Sequence, residues 1–199
     1  MAQDCFLWLY KYIMANFLFS RQAGFLCLGL FSLTILLGNW VVGNVGTVCQ
    51  AGGPCLIPVW PGIMAPSGVM LAGLALVLRD AVQSLLGKSW SLVAIVIGAA
   101  LSAWLAPAEI VLGSTLAFLF SELADFAVYT PLRDRHLTAA IIFSGLVGSV
   151  VDSVIFLGMA FGSLDFVLGQ VIGKFWMSLL GGAVIMLWRS LDKRPALRH

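Results

Sequence analysis

The chain has 199 residues, 61% of them hydrophobic and 10% charged, with a mean hydropathy of +1.03 and a formal net charge of +2. A soluble domain of this size could not keep that composition in water, and basic residues spread singly and in pairs exclude a nucleic-acid-binding tract. A hydrocarbon core of roughly 30 Å takes about 20 apolar residues per helix, so the length holds about six crossings and no hidden soluble catalytic domain.

In chain order, Met1–Tyr12 carries Asp4 and no small-residue cleavage site, so it is expected to remain on the mature protein. Apolar runs between short polar or Pro/Gly-rich joints predict helices at Ala23–Val42, Pro66–Leu86, Leu92–Leu105, Ile110–Tyr129, Thr138–Phe161 and Phe166–Trp188. Between the first two, Pro54, Pro58, Pro61 and Pro66 rule out a regular helix. The same loop holds Cys49 and Cys55, which either close a short disulfide in an oxidising compartment or stay as two small apolar residues. Cys5 and Cys27 have no assigned role. Pro107 ends the third run, so the third and fourth helices are expected to form a tight hairpin. Trp40, Trp60, Trp90, Trp104 and Trp188 fall near predicted helix ends, where amphipathic rings anchor at membrane interfaces.

Lys and Arg accumulate on the cytoplasmic side of membrane proteins. Lys11 and Arg21 precede the first span, Arg79 and Lys88 are assigned to the second-to-third junction, Arg133 and Arg135 follow the fourth, and Arg189, Lys193, Arg194 and Arg198 follow the sixth. The opposite loops, Gly43–Ala65, Ala106–Glu109 and Gly162–Asp165, contain no Lys or Arg. The expectation is an all-α integral membrane protein of the inner membrane. It would be a bundle of six transmembrane helices making one transmembrane domain over residues 1–199, with both termini cytoplasmic.

Lys174 is the basic residue this pattern leaves over, midway along the sixth span, while Glu122 and Asp125 lie in the fourth and Asp152 in the fifth. A charge at a helix centre costs about 2.5–3.5 kcal/mol on insertion scales, so such groups turn to the bundle interior, pair, or line a wet cavity. Glu122, Asp125 and Tyr129 share one helical face, Ser149 and Asp152 repeat the spacing, and Gln170, Lys174 and Ser178 make a third polar stripe. Gly145 and Gly148, and Gly169, Gly173, Gly181 and Gly182, let these helices approach closely. A Lys174–Asp pair could merely lock helices together; three polar stripes on neighbouring helices favour a ligand or proton pathway. Phe118, Phe120, Phe126, Phe156, Phe175 and Trp176 flank these positions and could cover a flat heterocycle.

The chain resembles the bacterial queuosine-precursor transporters, the VUT family. The likeness rests on Asn39-Trp40, Ala65-Pro66-Ser67-Gly68, Leu78-Arg79-Asp80 at the end of the second helix, Ser121-Glu122-Leu123-Ala124-Asp125, Gly148-Ser149-Val150-Val151-Asp152-Ser153 and Lys174. The resemblance implies a six-helix carrier in the bacterial inner membrane for a 7-deazaguanine or related purine-like base. Glu122, Asp125 or Asp152 would accept the paired N–H groups of its guanidine-like edge, while Asn39, Ser149 or Gln170 meets its carbonyl, with Lys174 in the same cavity. It implies no cofactor. Proton coupling through Glu122 or Asp125 and a homodimer are open.

Two other classes compete. A substrate-binding subunit of an energy-coupling-factor vitamin transporter is also a small six-helix protein, but the first helix reads Ala23-Gly24-Phe25-Leu26-Cys27-Leu28-Gly29-Leu30 and lacks the alanine pair such subunits dock through. An intramembrane metalloenzyme would need clustered His or Cys ligands, whereas His136 and His199 fall at predicted cytoplasmic ends. An aspartyl dyad of Asp125 and Asp152 is the other enzymatic arrangement the acids allow.

Overall fold

The structure is a computed structural model that describes residues 2–49, 53–106, 108 and 110–191, with side chains for these except 2–20 and 188–191. Pro107, Lys193, Arg194, Arg198 and His199 thus lie outside the described residues, as do the side chains of Cys5, Lys11, Trp188 and Arg189. In order the elements are α1 (Ala2–Asn44), β1 (Val48–Cys49), β2 (Cys55–Trp60), β3 (Ile63–Pro66), α2 (Val69–Leu86), α3 (Lys88–Leu105), α4 (Val111–Arg133), α5 (Leu137–Phe161) and α6 (Val167–Leu191). Six helices among the described residues are long and apolar enough to span a membrane, with Arg21–Asn44 as the spanning part of α1.

The Pro-rich loop folds into an antiparallel sheet of order β1-β2-β3, which the sequence reading did not anticipate. Pro61–Gly62 supply the turn between β2 and β3, proline presetting i+1 and glycine at φ 76° taking i+2. Pro58 sits in the middle strand, but β1 pairs only with Cys55 and Leu56, so its missing N–H leaves no ladder bond unmade on that side. Pro66 pairs with Leu56 as the last residue of β3 and does not open α2. Cys49 and Cys55 face each other across β1 and β2 and are joined as a disulfide. Ser67 fixes the end of the sheet to α1 by donating from its hydroxyl to the carbonyl of Val41 at 2.9 Å.

Apolar burial runs opposite to that of a water-soluble bundle. Leu26, Val96, Leu112 and Leu168 point outward at 61–68% exposure, while Arg79, Asp80, Gln83, Glu122, Asp125 and Lys174 are buried. Lipid would satisfy the outer face, and only polar partners can satisfy the inner one. Small residues bring the polar faces together. A Cβ on Gly73 of α2 would lie 2.7 Å from the Cα of Lys174, and Gly173 and Gly181 of α6 likewise abut Val69 and Val77 of α2. Gly73→Val is therefore expected to force α2 off α6, costing about 1–3 kcal/mol by overpacking. A lowered thermal midpoint in detergent checks this; an unchanged one would show that the two backbones do not touch there.

Candidate functional site

All six helices contribute to one cavity of about 120 Å³, far more than the roughly 10–15 Å³ that admits one water. Its walls come from the end of α1, the start of α2, Ser102 near the end of α3, the first half of α4, the second half of α5 and the first half of α6. These are the helix halves next to the sheet, so the cavity lies on the sheet side of the bundle.

On one wall Lys174 Nζ contacts Asp152 Oδ2 at 2.6 Å, donates to Ser153 Oγ at 2.9 Å and donates to Gln170 Oε1. Lys174 is 1% exposed and Asp152 18%, so the carboxylate is the open end of the pair. Glu122 stands on the α4 wall, its Oε2 accepting from Arg79 Nε at 2.9 Å. Asn39 contributes an amide whose Nδ2 donates to the carbonyl of Ile35 at 3.0 Å, and Phe118 and Phe156 supply aromatic surface.

Among the residues singled out from sequence, Asn39, Glu122, Asp152, Gln170 and Lys174 thus line one space. Ser149 and Asp125 do not. Ser149 turns its hydroxyl back onto the carbonyl of Gly145 in its own helix, and the α5 serine that reaches Lys174 is Ser153. Asp125 is buried one turn below the cavity against Arg79 Nη2. Trp176 faces outward, stacking on Trp60 at 5.9 Å and donating to the carbonyl of Val59 at 3.3 Å, and Phe120 is 50% exposed.

The main correction concerns Arg79. It is not a loop residue marking the cytoplasmic side but a fully buried group of α2, seven residues before that helix ends at Leu86. Its guanidinium meets Glu122 through Nε, Asp80 Oδ1 through Nη1 at 3.0 Å and Asp125 through Nη2. Nη1 also donates to Gln83 Oε1 at 3.1 Å, Gln83 Nε2 donates to Thr130 Oγ1 at 2.9 Å, and Arg133 Nη1 donates to the Gln83 carbonyl at 2.7 Å. Tyr129 donates to the carbonyl of Asp80 at 3.2 Å and shares a 2.6 Å hydrogen bond with Ser84. A polar seam between α2 and α4 therefore runs from the cavity to the helix ends remote from the sheet. Of the acids on the last three helices, Glu122 and Asp152 share the cavity with Lys174, whereas α2 supplies a cation that draws Asp125 away from it.

A neutral cavity would serve a hydrocarbon ligand. This one places a carboxylate on one wall and a paired ammonium and amide on another, with aromatic surface between, so it can orient a flat polar molecule by donors and acceptors at once. No group of His, Cys, Asp and Glu suited to a metal ion occurs among the described residues.

No curated protein and no solved structure matches the chain. A family model described as putative vitamin uptake transporter matches residues 68–188, which run from the start of α2 into α6 and take in both Arg79 and the Lys174–Asp152 pair. The match leaves out α1 and with it Asn39. Covering more than half of the chain, it shows that the protein belongs to the putative vitamin uptake transporter family of membrane transporters.

Proposed function

We propose that the protein is a secondary transporter of the bacterial inner membrane, with both termini cytoplasmic, that takes up a 7-deazaguanine-type queuosine precursor or a related purine-like base. The observation that carries this reading is the placing of Glu122 opposite Lys174 and Gln170 in the lining of one cavity. A guanine-like base has a donor edge, with adjacent N–H groups, and a carbonyl. Glu122 can accept from the first while Lys174 or Gln170 donates to the second, and Phe118 or Phe156 covers the ring. Asn39 and Asp152 complete the polar lining.

The proposed orientation rests on Lys88, Arg133 and Arg135 at the ends remote from the sheet and on loops without Lys or Arg on the sheet side. Withdrawing Arg79 from that tally leaves its sign unchanged. The cavity then lies toward the periplasm, and the α2–α4 seam separates it from the cytoplasm. Coupling to protons, with Glu122 at the cavity wall, belongs to the same reading.

Thermal unfolding of the purified protein with 7-deazaguanine, guanine, adenine, thiamine and riboflavin tests the assignment. A ligand that binds only the folded state stabilises it by about 2.7 kcal/mol at a hundred times its dissociation constant. The midpoint is expected to rise with 7-deazaguanine and to fall back in Glu122→Gln. A rise with a vitamin and none with any base would overturn the substrate class.

A further inference from the structure

Below the cavity the charges do not balance. Lys174 is taken by Asp152, which leaves Arg79 alone against Asp80, Glu122 and Asp125. Among the described residues, the other groups packed around these carboxylates bring no further positive charge to them. On α4, Tyr129 offers Arg79 its ring face at 5.7 Å and Asp80 only a hydroxyl bound to the backbone, and Arg133 is committed to the Gln83 carbonyl and to Asp134. From α5 comes the neutral Ser144, which donates to Asp80 Oδ2 at 3.3 Å. Among the described side chains of α6 the charged group is Lys174, already paired.

Asp80 and Asp125 sit on the two terminal nitrogens of one guanidinium, 2% and 0% exposed. Two carboxylates that share a dry site cannot both stay ionised while a third occupies the same cation. A second observation points the same way: Asp125 Oδ2 is buried without a well-formed hydrogen bond. The hydroxyl of Ser144 and the carboxyl of Asp80 both lie within hydrogen-bonding reach of Asp125. Among the described residues the carboxylates are not grouped as metal ligands would be.

We propose that Asp80 and Asp125 hold one proton between them, a proton site distinct from the solute cavity and joined to it by Arg79 and Glu122. The proton adds a donor between two carboxyls that otherwise share one hydroxyl and one guanidinium, and brings the charge around Arg79 closer to balance. Because Glu122 is at once an Arg79 partner and a cavity wall, the charge on the pair is felt where a solute would bind. Use of that proton in transport rests on the proposed function; its residence between the two carboxyls does not.

Infrared spectroscopy of the wild-type protein in liposomes, compared in H₂O and D₂O at neutral pH, reads the proton directly. A protonated carboxylic acid gives a carbonyl stretch that shifts on deuteration. The band is expected in the wild type and in Asp152→Asn, and is expected to vanish in both Asp80→Asn and Asp125→Asn, where the remaining carboxylate shares Arg79 with Glu122 alone. Absence of the band from the wild type overturns the proposal without depending on any variant. A band that survives in either of those two variants, or that vanishes with Glu122→Gln while both keep it, places the proton elsewhere and overturns it too. A protein that shows the band yet ignores 7-deazaguanine keeps the proton site and loses the substrate, so the two readings fail separately.

Discussion

Arg79→Leu is expected to remove most of the folded protein from the membrane. The substitution leaves Asp80, Glu122 and Asp125 buried without their common cation, and breaking even one buried ion pair costs about 3–5 kcal/mol. Whole domains are stable by roughly 5–15 kcal/mol, so the loss takes a large share of what holds the fold together. Arg79→Lys should recover only part of it. An ammonium keeps the charge but cannot present donors to three carboxylates in the fixed fork of a guanidinium. Exchanging the three carboxylates for amides in the Arg79→Leu chain removes the orphaned charges and is expected to restore folding. Yield of monodisperse protein after detergent extraction and its thermal midpoint measure all three. A single Arg79→Leu chain as abundant and as stable as the wild type would show that the guanidinium does not sit where the structure puts it.

The reason Arg79 escaped a reading from sequence also shows how far such a reading reaches. Spans are legible because lipid imposes length and apolarity on every crossing, and the predicted helices match the observed ones to within a few residues except where α1 runs back to Ala2, α3 starts at Lys88 and α4 runs on to Arg133. Lys174 stands out because it lies mid-span in any register. Arg79 is subtler, lying two turns from the end of α2, where a long side chain could equally reach the interface. Its depth of seven residues before Leu86, roughly 10 Å of helix, was nonetheless a signal, as was Gln83 one turn further along the same face. What spacing along single helices could not supply is partner choice. It put Asp125 and Glu122 on one face of α4, but only the approach of α2 decides that Asp125 goes to Arg79 while Glu122 is shared with the cavity. The outer sheet was illegible for a different reason. Four prolines exclude a helix, but the turn and register that fold Cys55–Pro66 back on itself depend on Pro61–Gly62 and on contacts with α1 and α6.

The Lys174–Asp152 pair admits two roles, and a pair of substitutions tells them apart. Asp152→Leu alone leaves a buried ammonium with only Ser153 and Gln170, and Lys174→Met alone leaves a carboxylate on the cavity wall without its cation. Each is expected to lower stability by about 3–5 kcal/mol as an orphaned charge. Combining them replaces the pair with apolar groups of similar bulk, which is commonly neutral for stability, so the thermal midpoint should return close to that of the wild type. Uptake of labelled 7-deazaguanine into proteoliposomes should not return with it. If Lys174 and Asp152 bind the solute, the double variant loses its donor and acceptor at once, and a loss of at least tenfold follows from even about 1.4 kcal/mol of missing interaction. A double variant that regains both stability and transport would make the pair a fastening between α5 and α6 and nothing more. Stability and uptake must therefore be measured on the same preparations, because only their separation places these two side chains in the path of the solute.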